Sequence, residues 1–208
     1  MSVDPITEID VLVIGGSAAG CSAAIAAARE GSKVVVLEPT ASIGGITANG
    51  VHCFDTGTLQ ALSGIAEEFV ERVLAHYRAL GLDHPMLHSK SDVFWEFHLA
   101  EKIWREMIAE FDGIRFINGA VPVGVVMDGR RIAEVHWEPA IDAFGNPGDE
   151  PLQAPNRIKP KVVIDATHEG DVAAWAGAPF ELGREGRSPE EPHAGVMLTT
   201  THERRIDT

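Results

Sequence analysis

Basic side chains and cysteines are scarce in this chain of 208 residues. Lysine and arginine together number 17 against 31 aspartates and glutamates, which leaves a formal net charge of −14. A surface of that sign repels polyanions, so the composition argues against a nucleic-acid partner and against an anionic membrane surface. Any anion that the protein binds must therefore be held locally.

Cys21 and Cys53 are too few for a disulfide framework, and neither belongs to a Cys-x-x-Cys pair. A reducing compartment is the expectation that follows. The chain also has little that resembles a targeting or membrane segment: residues 11–28 are uncharged, but they are rich in glycine, alanine and serine, and acidic residues precede them. Because export signals begin with basic residues and membrane spans are more apolar, we expect a cytoplasmic protein with no membrane partner.

The remaining composition is that of an ordinary globular domain, with 45% hydrophobic and 23% charged residues. Since domains typically contain about 150 residues, the length predicts one domain, or one and a fragment of a second. The chain is long enough to bury a real core.

The amino-terminal pattern is strand, glycine-rich turn, helix, strand. Residues 10–14 (DVLVI) and 33–37 (KVVVL) are short apolar runs, typical of strands buried on both faces. Between them, residues 17–30 are rich in alanine at helical spacing, and Gly31 follows as a stop. Such a crossover joins parallel strands, so the predicted fold class is α/β with a Rossmann-like parallel sheet.

Two amphipathic helices are predicted next. The first covers residues 64–80, and the second begins at a cap formed by Ser91 or Asp92, carries Val93 on its apolar face, and closes at residues 112–113.

Three runs of β-prone residues follow the second helix: residues 114–117, 121–127 and 131–137. The Asp128-Gly129 pair between the last two predicts a β-hairpin. The proline-rich stretch 138–160 is expected to be a surface loop, and residues 161–165 (KVVID) another buried strand. No further regular element is predicted beyond Gly177.

The turn after the first strand has the sequence GGSAAG, which fits Gly-x-Gly-x-x-Gly except that Ser17 replaces the second glycine. In this motif Gly15 permits the tight turn, a small residue at position 17 lets a pyrophosphate approach the backbone, and Gly20 lets helix and strand pack closely. The helix N-terminus offers N–H groups and a positive dipole end to phosphates.

Glu38 closes the second strand 18 positions after Gly20. That is near the spacing of about 20 residues expected for the acid that binds an adenosine ribose, and its charge disfavours a 2′-phosphate. These residues predict a dinucleotide site, and their spacing leaves NAD and FAD both open.

Four blocks of the sequence resemble, in order, the family of FAD-dependent oxidoreductases, whose FAD-binding fold is similar to that of glutathione reductase. They are GGITANGVHCFDTG (44–57), SGIAEEFVERV (63–73), WEFHLAEKIWREMIAE (95–110) and VVIDATHEGDVAAWAGAPFELGRE (162–185). The first block resembles the Gly-Gly loop of glutathione-reductase-type flavoproteins, which NAD-only Rossmann domains lack. The resemblance covers nearly the whole chain and implies FAD as the cofactor.

Carried over position by position, the resemblance implies which residues contact FAD. The residues expected at the pyrophosphate are Gly15, Ser17, Ala18, Ala19 and Gly20. Glu38 is expected at the adenosine ribose, and Gly44 and Gly45 at the middle of the cofactor. Ala166 and Thr167 match the start of an Ala-Thr-Gly motif that brings backbone near FAD, with His168 in place of the glycine.

One further strand is expected to pair its backbone with the adenine edge. Pro122 departs from the family's pattern there, because proline has no N–H to donate. Val121 or Val123 would have to donate instead, and Val123 is included among the expected cofactor contacts.

The resemblance also implies a single FAD-binding domain that is incomplete, because family members continue into a larger substrate region. Its expected parts are a Rossmann βαβ unit with the Gly-Gly loop (1–57), a helical insertion (58–113), a β-hairpin crossover with a returning strand (114–180) and an irregular tail (181–208).

No residue is assigned to catalysis or to a metal. The polar candidates are His52, Cys53, Asp55, Glu96, His98 and His168. His52 is the favoured substrate contact among them, whereas His98 borders an apolar helix face and is expected to be a packed core histidine. Cys53 has no adjacent basic partner to activate it. His84 and His88 are separated by Pro85 and lack a third ligand, which argues against zinc.

Three functions remain open. The first is an FAD-dependent oxidoreductase that takes hydride from a small organic substrate and passes electrons to an unidentified acceptor. The second is a non-catalytic dinucleotide-binding module, or a fragment that needs a missing half. The third is an NAD-only Rossmann enzyme, which the Gly-Gly loop disfavours.

Overall fold

The structure is a computed structural model. It describes residues 9–55, 58–82, 92–146 and 155–180, together with the positions 189, 192, 196–198 and 203–205. The chain forms two compact units, Met1–Gly177 and Ala178–Thr208.

The first unit mixes strands and helices along the chain. In order they are β1 (Ile9–Ile14), α1 (Ala18–Arg29), β2 (Val34–Glu38), α2 (Ile46–Asn49), β3 (Cys53–Asp55), a 3-10 turn (Leu59–Ala61), α3 (Gly64–Ala79), β4 (Asp92–Phe94), α4 (Phe97–Ala109), β5 (Ile114–Asn118), β6 (Ala120–Asp128), β7 (Arg131–Pro139), β8 (Asn156–Ile158), β9 (Pro160–Asp165) and α5 (Asp171–Trp175).

A four-stranded parallel sheet in the order β5-β2-β1-β9 is the centre of this unit. Val11 of β1 lies opposite Val34 on one side and Val162 on the other. All five residues of β2 are buried, because the strand is covered on both faces, which is why the sequence reads there as an unbroken apolar run. The α/β class with a parallel sheet is therefore confirmed.

The chain order reverses at β1. Helix α1 connects β1 to β2 on one side, whereas β9 returns from much later in the chain to the other side of β1. In open parallel sheets, ligands bind outside the carboxyl ends of the strands at such a switch point. The topology therefore predicts a ligand site at the segments that follow β1, β2 and β9.

A layer of helices packs over α2. Phe69 of α3 stacks on Trp104 of α4, with ring centroids 4.7 Å apart, and Trp95 meets Phe69 edge-on. Both tryptophans also bind Thr47 of α2: the indole N–H of Trp104 donates to Oγ1 at 3.0 Å and that of Trp95 donates to the backbone oxygen at 2.8 Å. The helical layer therefore holds the segment that follows the Gly-Gly pair.

The second predicted helix starts later than expected. Its first residue is Phe97, and Asp92 and Val93 lie instead in β4, which pairs antiparallel with β3. Ser91 lies outside the described residues. The prediction was wrong because local periodicity does not register the pairing with distant Cys53–Asp55, which buries Val93 within a strand.

The predicted hairpin is present as β6 and β7, with Asp128 opposite Arg131 across the turn. The pairing has an irregularity between Pro122 and Gly124. A third strand, β8, joins β7 with Ile158 opposite Val135. It falls within the stretch 138–160 that was predicted to be loop, because three residues are too short to show an alternating pattern.

In the second unit, two short strands pair antiparallel: β10 (Val196–Leu198) and β11 (Glu203–Arg205), with Val196 opposite Arg205. The sequence predicts no regular element in this part of the chain. None of the helices in the described ranges has the length and hydropathy that a membrane span requires.

Candidate functional site

A cavity of about 560 Å³ opens at the carboxyl ends of β1, β2 and β9, at the switch point of the sheet. Its volume falls within the range of about 300–1,000 Å³ that is common for small-molecule sites. Its lining comprises Gly15, Ser17, Glu38, Pro39, Thr40, Ser42, Gly45, Ile46, Asn49, Val121, Pro122, Phe144, Gly145, Asn146, Ala166, Thr167, His168, Glu169 and Asp171. These residues come from five separate segments of the first unit.

The turn after β1 is built from close backbone approaches. Gly15 has a φ of +93°, a conformation that favours glycine, and a Cβ there would lie 2.9 Å from the carbonyl oxygen of Ala166. A Cβ on Gly20 would lie only 1.9 Å from the carbonyl oxygen of Gly15. Helix α1 can therefore pack against the turn that precedes it only with glycine at position 20.

Ser17 links this turn to the segment after β9. Its hydroxyl accepts a hydrogen bond from the backbone N–H of Gly20 at 3.2 Å, which caps α1, and donates to the carbonyl oxygen of Ala166 at 2.8 Å. A glycine at position 17 could make neither bond. The serine therefore joins two walls of the cavity.

Glu38 lies at the end of β2 with only 9% of its surface exposed. Its Oε2 accepts from the backbone N–H of Gly16 at 2.6 Å, and its Oε1 accepts from the N–H and the hydroxyl of Thr40 at 2.8 and 2.7 Å. A carboxylate offers about four acceptor positions. Three are used here, so Glu38 can accept a further donor from the cavity that it lines.

The backbone of the Gly-Gly loop pairs with the turn after β1. The N–H of Gly44 donates to the carbonyl oxygen of Gly16 at 2.7 Å, and Gly44 forms an isolated parallel β-bridge with Ser17. Gly44 has a φ of +94°, and a Cβ there would lie 2.5 Å from Cδ1 of Trp104. The close approach of α4 thus requires this glycine.

The segment after β9 is shaped by Asp165. Its Oδ1 accepts from the N–H and hydroxyl of Thr167 at 3.1 and 2.7 Å, and its Oδ2 accepts from the N–H of Ala173 at 2.9 Å. The hydroxyl of Thr167 in turn accepts from the N–H of Gly170 at 2.8 Å. These four bonds set the path of residues 166–169 along the cavity.

No lysine or arginine is among the residues that line the cavity within the described part of the chain. The charged residues of the lining are Glu38, Glu169 and Asp171. An anionic group bound here must therefore be held by backbone N–H groups and by the positive end of the α1 dipole. Together with an acceptor at Glu38, this donor set suits a dinucleotide whose phosphates lie at the turn and whose ribose lies at the carboxylate.

Cys21 lies beneath the first turn and is fully buried. Burial raises the pKa of its thiol to about 12, and the thiol contacts the carbonyl oxygen of Gly16 at 3.5 Å. It is therefore an uncharged packing residue rather than a nucleophile.

The cavity brings together part of the predicted site. Its lining includes Gly15, Ser17, Glu38, Gly45, Ala166 and Thr167, and does not include Ala18, Ala19, Gly20, Gly44 or Val123. Gly20 and Gly44 act on the cavity through packing, as described above. On β6, Val121 and Pro122 line the cavity, whereas Val123 lies at the irregularity of the hairpin.

Of the polar candidates whose side chains the structure describes, only His168 is among the residues that line this cavity. His52 lies against Phe94 and Phe97, with ring centroids 5.9 and 6.4 Å apart. Cys53 is half-buried, and the carboxylate of Glu96 accepts a hydrogen bond from the hydroxyl of Tyr77.

His98 is exposed, so the expectation of a packed core histidine was wrong. The buried face of α4 consists of Leu99, Ala100, Ile103, Trp104 and Met107. Position 98 falls outside that stripe once the helix begins at Phe97. His84 and His88 lie outside the described residues, as does the side chain of Asp55.

Several lining residues were missed by the sequence reasoning: Pro39, Thr40, Ser42, Ile46, Asn49, Phe144, Gly145, Asn146, Glu169 and Asp171. Asp165, which organises its segment, was also missed. An aspartate two residues before a threonine at a strand end is a turn signal that could have found it. For Phe144–Asn146, turn-forming residues were visible within the proline-rich stretch, but nothing local indicated which cavity they would reach.

Known proteins similar to this chain bear on the occupant of the cavity. The family described as "FAD dependent oxidoreductase" matches residues 10–207. A urocanate reductase from Eggerthella lenta is 38% identical over 80 residues, which is 38% of this chain and 13% of that protein.

Two solved structures share the fold. Thermovibrio ammonificans THI4 matches with a TM-score of 0.55 and 18% identity, over 85% of this chain and 64% of that one. The L-proline dehydrogenase from P. horikoshii matches with a TM-score of 0.54 and 16% identity, over 86% of this chain and 58% of that one. This chain thus spans less than two thirds of the length of each of these relatives.

Proposed function

Because this chain belongs to the family of FAD-dependent oxidoreductases and has FAD as its cofactor, we propose that the cavity at the switch point of the sheet is its FAD site. In this proposal the chain is the FAD-binding part of an enzyme that moves hydride from a small organic substrate to the flavin and passes the electrons to a separate acceptor. The NAD-only enzyme is set aside, because the family uses FAD.

The convergence of the segments after β1, β2 and β9 on one cavity carries the proposal. The turn Gly15–Gly20, including Ala18 and Ala19, would hold the pyrophosphate with the N-terminus of α1. Glu38 would accept hydrogen bonds from the adenosine ribose. Gly44 and Gly45 would lie along the middle of the cofactor.

Two further segments would contact FAD. Ala166 and Thr167 would bring their backbone close to it, supported by the hydrogen bonds to Asp165. The backbone of Val121 or Val123 would meet the adenine edge, and of these Val121 is the one that lines the cavity.

When bound, FAD supplies a ring that accepts hydride itself, so the chain's residues have to bind and orient rather than react. In this proposal the backbone of the turn after β1 and the α1 dipole would offset the charge of the pyrophosphate, because the charged side chains of the described lining, Glu38, Glu169 and Asp171, are all acidic. No described residue is assigned a proton-transfer role in this proposal.

We further propose that the protein acts in the cytoplasm. Both cysteines are free thiols in the structure. Free thiols in a globular chain are typical of a reducing compartment.

A second candidate function is a binding module without activity of its own. It is favoured by the chemistry of the described cavity, where backbone N–H groups and the acceptor at Glu38 serve binding and no described residue is assigned to proton transfer. Such a module would bind FAD, but no substrate would reduce the bound flavin. In the enzyme proposed above, the substrate would reduce the flavin, and the visible absorbance of the flavin would be lost.

Flavin titration of two glycine variants tests the site. Gly20→Ala places a methyl group against the carbonyl oxygen of Gly15 and should abolish FAD binding, read from the visible absorbance of the bound flavin. Gly124→Ala is the matched control, because a Cβ at that position of β6 meets nothing within 4 Å. Folded wild-type protein that fails to bind FAD, or Gly20→Ala that binds it as the wild type does, would refute the proposal.

A further inference from the structure

We propose that the loop Ile141–Asn146 is an adenine cover, in which the ring of Phe144 stacks on the adenine of the cofactor. The inference rests on the proposed function and deepens it, since it adds a residue that distinguishes FAD from flavins without an adenylate.

The exposure of the Phe144 ring needs an explanation. It lines the cavity, yet 85% of its surface is exposed, more than any other large hydrophobic residue of the described chain. An aromatic ring gains its stabilisation by burial or by contact with another flat surface. Among the residues that the structure describes, Phe144 has neither, which fits a ring whose partner is the ligand.

The loop that carries Phe144 is held in one shape by Asp142. Oδ1 of Asp142 accepts from the backbone N–H groups of Phe144 and Asn146 at 2.9 and 3.1 Å, and Oδ2 accepts from the side-chain amide of Asn146 at 2.7 Å. The amide of Asn146 and then its backbone N–H hold the pKa of Asp142 below its ordinary value. The N–H of Ile141 closes the loop by donating to the carbonyl oxygen of Asn146 at 2.9 Å.

The loop is packed against the segment that follows Glu38. Gly145 has a φ of +81°, and a Cβ there would lie 2.6 Å from Cβ of Pro39. Pro39 is the residue after Glu38, so the loop lies next to the carboxylate that would bind the adenosine ribose. An organised loop at that point places the aromatic ring near the group attached to the ribose, which is adenine.

The other side chains at this part of the cavity favour a flat apolar group. Val121 and Pro122 of β6 line the same cavity and present hydrocarbon. An adenine offers a π-face to Phe144 and needs no charged partner, in keeping with a lining that has no lysine or arginine in the described residues. The flavin lies at the opposite end of FAD from the adenine, so the loop would act on binding and not on the reactivity of the flavin.

Binding measurements on Phe144→Ala test the cover in the full chain. FAD affinity is measured by flavin fluorescence, ADP affinity by displacement of FAD, and FMN affinity by direct titration. We expect Phe144→Ala to weaken both FAD and ADP by about tenfold, as is common for the loss of one base-stacking aromatic ring. FMN affinity and the spectrum of bound FAD should not change.

Two more variants make the test specific. Phe144→Trp should retain wild-type affinity, and its added indole emission should be quenched when ADP binds. Ile141→Ala is the matched control, because Ile141 belongs to the same loop, is 67% exposed and does not line the cavity. It should bind FAD and ADP as the wild type does.

Wild-type affinity for FAD in Phe144→Ala would overturn the adenine cover, as would a loss of FAD affinity without a loss of ADP affinity. Both results leave FAD binding by the wild type intact, so they differ from a failure of the proposed function, in which the wild type itself would not bind FAD. Because the side chain is exposed, the melting temperature of the apoprotein should be the same in Phe144→Ala and the wild type, which separates a binding defect from a folding defect.

Discussion

At the residue scale, the cavity is organised by single polar atoms that serve two neighbours. The hydroxyl of Ser17 caps α1 and reaches the carbonyl oxygen of Ala166, and the carboxylate of Glu38 joins the turns after β1 and β2. The motif with glycine at position 17 would leave the carbonyl of Ala166 without this donor. The substitution of serine for the usual glycine is therefore a structural adaptation and not a weakened motif.

The two thiols should differ in reactivity. At about pH 8 we expect a disulfide reagent to modify half-buried Cys53 quickly and buried Cys21 only when the protein unfolds, because the thiolate is the reactive form and burial raises the pKa of Cys21 from 9.0 to about 12. The absorbance of the chromophore that the reagent releases gives the number of thiols that have reacted. In Cys53→Ser no fast-reacting thiol should remain, and a fast thiol in that variant would contradict the structure.

The same pKa shift links Cys21 to stability. Below pH 9.0 the thiol is protonated in both the folded and the unfolded chain, so its full contribution to the free energy of unfolding is present. Between pH 9.0 and about 12 only the unfolded chain loses the proton, so the free energy of unfolding falls as the pH rises. In Cys21→Ala this part of the decline should be absent.

At the element scale, the segment between β9 and α5 depends on one carboxylate. In Asp165→Asn the amide oxygen can still accept from Thr167, but the amide nitrogen cannot accept from the N–H of Ala173. We expect a loss of about 1 kcal/mol in the free energy of unfolding, the usual net worth of one hydrogen bond at a half-buried N–H, together with weaker FAD binding. Chemical denaturation and flavin titration measure the two effects.

The matched control for this prediction is Asp112→Asn, a change at an exposed aspartate between α4 and β5. Its free energy of unfolding and its FAD affinity should remain those of the wild type. If Asp165→Asn behaves like Asp112→Asn, the hydrogen bonds around Asp165 do not shape the segment that lines the cavity.

At the scale of the whole molecule, charge and cofactor have the same sign. The chain carries a formal net charge of −14, FAD is anionic, and the described lining has no lysine or arginine to attract it. Long-range repulsion should therefore slow association, and salt should screen it, since the Debye length falls from about 30 Å at 0.01 M to about 8 Å at 0.15 M. The hydrogen bonds between FAD and backbone N–H groups act at short range, so salt weakens them much less.

We accordingly expect the association rate constant for FAD to rise as NaCl increases over that range, measured by stopped-flow quenching of flavin fluorescence. A site lined by lysine or arginine would show the opposite trend. A clear fall in the rate constant with salt would indicate a basic attraction that the described cavity does not contain.

Local sequence determined the elements whose signals lie within a few residues. β1 and β2 are apolar runs because both of their faces are covered, and the glycine turn and the Asp128-Gly129 hairpin depend on backbone conformations that few residues adopt. The prediction that residues 161–165 form a buried strand was wrong in its burial: β9 lies at an edge of the sheet, where Lys161 and Val162 are exposed. Tertiary structure alone decided the rest. Pairing with Cys53–Asp55 turned Val93 into a strand residue, and the return of β9 brought Asp165 and Ala166 beside a turn some 150 residues earlier. Such contacts depend on which distant segments meet, and no local pattern of residue types records that.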